Sequence, residues 1–199
     1  MRHKNMKIWL TAALLLAVWT TFSNACVGRI LYIGALENTE EQLMAEMLVI
    51  LINERTGTNV KTRFFSDNTL LYQAFRADDE EARVDIIIED TADAMEILGQ
   101  SRLADPDQEY TLAKDTYEKE RDVIWLNPFG FRNAKDNPTV SAPLIRRDVL
   151  TNFPLLPRVL NKLSGAIDNA AYTAMMKQVK SGSKARNVAK DFLKDRKFI

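Results

Sequence analysis

The run Val84-Asp-Ile-Ile-Ile88 constrains the fold more than any other stretch of the chain. It is too short for a helix, is apolar on both sides of an extended backbone, and is flanked by charged residues. A run of this kind reads as a central strand of a parallel sheet, covered by other elements on both faces. The neighbouring segments supply that cover. Val27 to Ile33 reads as a first strand ending at Gly34, and Val60 to Phe65 as a second. Between them Thr39-Glu-Glu-Gln42 has the form of a capping box with Thr39 as N-cap. It opens a helix over Leu43, Met44, Met47, Leu48 and Leu51 that stops at Gly57. Ser66-Asp67-Asn68-Thr69 opens a second helix through Ala77, and Asp78 to Arg83 is a charged loop. Thr91 caps a third helix to about Gly99, a charged helix falls near Thr111 to Arg121, and Val123 to Leu126 is a fourth strand. This order predicts an α/β fold with a single doubly wound, mostly parallel sheet flanked by helices. Val140 to Ile145 is expected to add one more strand. Helices opening at Pro154 (ending near Gly165), Asp168 and Ser183 then close the chain.

The 199 residues include one Cys and one His, and 46% of them are apolar. No internal disulfide can form, and a lone His argues against zinc chemistry and a Ser-His-Asp triad. Residues 1–25 hold Arg2, Lys4 and Lys7, the apolar run Ile8 to Trp19 and Ser23-Asn24-Ala25. This is the pattern of a secretory signal, so 1–25 is expected to be a signal peptide and 26–199 a single domain. The apolar run is short for a permanent anchor. Cys26 follows the cleavage site directly. It is a candidate for lipidation, although ordinary cleavage after Ala25 fits as well, because Ser23 stands where lipoprotein signals usually have Leu. Without 1–25 the chain has 24 basic and 27 acidic side chains. No nucleic-acid partner is expected: the locally basic stretch Lys177 to Lys197 alternates with apolar residues as a solvated helix face does.

Motifs for catalysis are missing. The sequence has no Gly-rich phosphate loop, HExxH, CxxC or GxSxG, and neither an enzyme, a cofactor nor a metal site is expected. In a doubly wound sheet, ligands sit beyond the carboxyl ends of the strands. The candidate ligand-binding residues on that rim are Glu37, Asn38, Thr39, Asn68, Thr69, Asp90, Thr91, Phe129 and Phe131. Helix N-termini there offer N–H groups, and the two Phe rings could stack on a cation.

Taken in order, these stretches resemble the substrate-binding proteins of ABC transporters for glycine betaine, choline and related osmoprotectants, a type II periplasmic binding protein family. Ile33-Gly34 through Gln42, followed by Leu43-Met-Ala-Glu-Met47, is similar to the family's opening strand and helix. Asn68-Thr69 matches its Gly-Thr, and Asp85 to Asp93 loosely matches its third-strand motif. Trp125-Leu-Asn-Pro-Phe-Gly-Phe131 is similar to its hinge sequence. Pro143 to Leu150, Phe153-Pro154, Leu160 to Gly165 and Val188 to Leu193 follow its C-terminal helices. Two departures stand out. The family inserts a second lobe after the hinge sequence, and here only Arg132 to Val140 intervene, so the resemblance implies a one-lobe version. The family's Lys in the opening motif is missing beside Leu36 and Glu37, and Asp90 replaces its ligand-stacking Tyr. The resemblance implies a non-catalytic solute-binding component of a transport system, periplasmic or lipid-anchored outside the cytoplasmic membrane. Its expected partners are a quaternary ammonium or other small cationic solute, bound weakly, and an ABC permease or another exported protein. The alternative is an exported protein-interaction module that keeps the fold without osmoprotectant binding.

Overall fold

The computed structural model describes residues 29–133 and 138–199. The signal segment and Cys26 lie outside them. Among the described residues six strands form the sheet: β1 (Leu31–Leu36), β2 (Val60–Phe65), β3 (Ile86–Asp90), β4 (Val123–Trp125), β5 (Arg132–Asn133) and β6 (Thr139–Arg146). The order is β2-β1-β3-β6-β4, with β5 paired to β6. β1 runs parallel to β2 and to β3, as expected, and β6 runs antiparallel to both β3 and β4. The sheet is therefore mixed but mostly parallel. β6 inserts in reverse between β3 and β4 instead of extending a parallel series.

The described residues form seven α-helices: α1 (Thr39–Thr56), α2 (Asn68–Arg76), α3 (Thr91–Ile97), α4 (Pro106–Glu120), α5 (Leu156–Leu160), α6 (Asn169–Lys180) and α7 (Ala185–Asp195). Every residue of α1 from Leu43 to Ile52 except Glu46 is buried. A helix apolar all round must be covered all round. The sheet covers one side of α1, and α5, α6 and α7 pack on its other sides. The opposite face of the sheet carries α2, α3 and α4 over Ile87, Ala142 and Leu144. There Trp125 packs against Tyr110 and Tyr117, at 5.6 and 5.2 Å between ring centroids.

Several boundaries move for identifiable reasons. β1 continues through Gly34 to Leu36. A Cβ on Gly34 would stand 2.6 Å from Leu71 Cδ1 and 2.8 Å from Val84 Cγ2, so this glycine lets α2 approach the strand and does not end it. The N-cap of α1 is Asn38, whose Oδ1 accepts from Glu41 N at 2.9 Å, with Thr39 as the first helical residue. Asp90 caps α3 in place of Thr91. Lys184, with no side-chain cap, precedes α7 in place of Ser183. The charged helix opens earlier than expected, at Pro106, because Asp105 accepts from Asp107 N and Gln108 N. From Pro154 only the short α5 and a 3₁₀ turn at Asn161–Leu163 form.

Pro143 sits in the middle of β6, where proline normally breaks a ladder. Its carbonyl accepts from Leu126 N at 2.9 Å, and it has no N–H to return. The Tyr110 hydroxyl donates to Leu126 O at 2.7 Å instead. The β4 ladder ends at Trp125, and the chain turns off along Asn127-Pro128.

Candidate functional site

The carboxyl ends of β1, β2 and β3 share one edge of the sheet. Because β6 is reversed, its amino end reaches the same edge. Asp90, the last residue of β3, is the focus. Its Oδ1 accepts from Ala92 N at 2.8 Å, and its Oδ2 accepts from Thr139 Oγ1 (2.7 Å), Ser141 Oγ (3.2 Å) and Asn133 Nδ2 (3.4 Å). One turn into α3, Asp93 accepts from Asn68 Nδ2 at 3.2 Å, which ties α2 to α3 across the rim. Glu41, in the first turn of α1, completes the group. One of its oxygens is buried without a hydrogen-bond partner.

These acids crowd one another. Burial, then Asp93, Asp90 and Glu40, push the Glu41 carboxyl up to about 7. Burial, then Asp90, raises Asp93. Among the described residues no cationic side chain offsets either one. The other end of the sheet differs: Arg83 bridges Asp85 and Asp148, and Arg146 adds a second contact to Asp148. Behind Asp90 lies Glu89, fully buried, with both carboxyl oxygens within 2.7 Å of the Tyr72 hydroxyl. Burial raises it to about 8, against the opposing pull of Tyr72.

The structure brings only some of the candidate residues to this rim. Glu37, Asn38, Asn68 and Thr69 are exposed on it, Thr39 is half-buried in the first turn of α1, and Asp90 is half-buried at its centre. Asn68, Thr69 and Asp93 open a groove of about 730 Å³ between α2 and α3. Thr91 lies inside, fully buried, where its hydroxyl accepts from Val140 N at 3.3 Å. Phe129 and Phe131 are also core residues. Phe131 stacks on Tyr172 at 4.0 Å on one side and on Phe129 at 5.9 Å, which leaves neither ring free for a ligand. Pattern reading singled out neither Glu41 nor Asp93 as a site residue. Their signal was positional: each lies within the first turn of a helix that follows a parallel strand, and that turn belongs to the rim.

Electrostatically, the rim suits a cation and repels an anion. Among the described residues no group of three acidic, His or Cys side chains is positioned to hold a metal ion.

Residues 135–195, a range that contains β6 and ends with α7, match the family model for the substrate-binding domain of an ABC-type glycine betaine transport system, OpuAC. Over that stretch the chain is similar to OpuAC. No curated protein matches it. Solved structures extend the likeness over most of the fold. One is a crystal structure of a glycine betaine/carnitine/choline ABC transporter protein, 14% identical, with a TM-score of 0.76 over 85% of this chain and 98% of that one. Apo YehZ from Escherichia coli is 12% identical, with a TM-score of 0.73 over 85% of this chain and 99% of its own. At these identities the likeness shows a shared fold. The chain's mixed sheet and flanking helices have the layout of a lobe of a periplasmic binding protein.

Proposed function

We propose that this protein is the solute-binding component of an ABC transport system and takes a small quaternary ammonium cation, choline being the simplest case. The carrying observation is the convergence of Glu41, Asp90 and Asp93 on one rim with no cationic counterpart among the described residues. A quaternary ammonium offers no N–H donor, so its recognition rests on charge and on apolar contact. The OpuAC likeness supports the solute class. Glycine betaine is the poorer ligand on this reading, because its carboxylate would meet Glu37 and Asp90, with no lysine among the described residues of the rim to receive it. The protein carries out no chemistry on its solute. It works outside the cytoplasmic membrane, free or tethered through Cys26, and hands its cargo to a permease.

The test is thermal unfolding with increasing choline or betaine. A ligand at about 100 times its Kd adds roughly 2.7 kcal/mol, a rise of several degrees. Choline should raise Tm by that amount, betaine should raise it far less, and Asp93→Asn should weaken the choline response. If neither solute stabilises the protein while an exported protein copurifies with it, the interaction-module reading is the better one.

A further inference from the structure

A second groove lies between α2 and α4, toward the amino ends of β3 and β4 and away from the rim. It encloses about 590 Å³, and its walls include Phe75, Val123 and Leu144. Two tyrosines form its inner side, each with a guanidinium over its ring. Arg121 Cζ is 4.9 Å from the Tyr117 centroid, and Arg76 Cζ is 5.8 Å from that of Tyr72. Both guanidinium groups lie close enough to act on the Tyr117 hydroxyl. That hydroxyl faces the buried Glu89 carboxyl, whereas Arg121 Nε is buried with no hydrogen-bond partner. Among the described residues neither arginine lies within 4 Å of a carboxylate.

Arg76 and Arg121 both line the groove without a carboxylate partner, and a buried donor such as Arg121 Nε left without an acceptor is costly. A carboxylate supplies what they lack, because guanidinium groups bind it through charge-assisted hydrogen bonds. The acids around the groove limit its charge. Asp148 is held by Arg83 and Arg146, and Asp122 by Arg147. Asp78 and Glu120 remain at the mouth, where they would repel a second negative charge. We propose that this groove binds a small monocarboxylate with an apolar body, its carboxylate on Arg76 and Arg121 and its body against Phe75, Val123 and Leu144. The site is independent of the rim and stands whether or not the rim binds a cation.

The experiment is a ¹H–¹⁵N NMR titration of the purified protein with benzoate, with benzyl alcohol as the uncharged control. Saturable shifts at the Phe75, Val123 and Leu144 amides are expected with benzoate and not with benzyl alcohol. Arg121→Gln should weaken binding roughly tenfold, the loss of one charge-assisted contact. Arg76 is exposed, so Arg76→Gln leaves the core intact and should weaken it similarly. No saturable shift, equal shifts with benzyl alcohol, or unchanged affinity in both variants would overturn the proposal.

Discussion

Glu89 shows what a carboxyl does when a strand carries it into a covered layer. The side chain alternation of β3 turns it toward α2 and α4, where the Tyr72 hydroxyl meets both its oxygens. Its folded pKa of about 8 and that of Glu41, about 7, stand above the ordinary value of 4.5. The folded state therefore holds protons that the unfolded chain releases above about pH 4.5. The stability that these groups contribute is full at low pH and is lost as pH rises toward 7 and 8. Each pKa unit corresponds to about 1.4 kcal/mol, so the combined loss is several kcal/mol. Tm should fall between pH 5 and pH 8.5. Glu89→Gln, which keeps the shape and a hydroxyl acceptor without the charge, should flatten much of that slope. A slope unchanged in Glu89→Gln would place the titrating group elsewhere.

At the scale of elements, the alternation of strands and helices was legible because a buried strand and an amphipathic helix each impose a period on the sequence. What close packing decides was not. Gly34 looks like a strand end in the sequence and is a contact point between β1 and α2 in the structure. Gly34→Ala should therefore destabilise the protein by about 1–3 kcal/mol, read by chemical denaturation, because Leu71 and Val84 must move. A Leu71→Ala change in the same chain should make the two effects less than additive. Additive effects would mean that the two side chains do not share the space. The reversal of β6 was equally hidden: direction leaves no mark on a run of seven buried residues. The rim was legible as a place, since strand ends define it, and Asn68, Thr69 and Asp90 stand on it. Thr91, Phe129 and Phe131 were misplaced because a cap residue and an interior residue can share one sequence context. The C-terminal stretches resembling osmoprotectant-binding proteins fall within residues 135–195, where the family model matches.

For the whole molecule, one six-stranded sheet with helices on both faces binds the described residues into a continuous structure. A single cooperative unfolding transition is expected in calorimetry, with equal calorimetric and van't Hoff enthalpies. Two resolved transitions would indicate separately folding units. The central claim is that a cation is held by the crowded carboxylates of the rim, and proton linkage tests it most directly. A cation beside Glu41 and Asp93 favours their ionised forms, so choline binding must release protons from Glu41, which titrates near pH 7. Isothermal titration of choline in buffers of different ionisation enthalpy counts those protons. The expected result is net proton release at pH 7 and an affinity that rises up to roughly tenfold from pH 6 to pH 8. Binding with no proton release and no dependence on pH, or no binding at either pH, would contradict it.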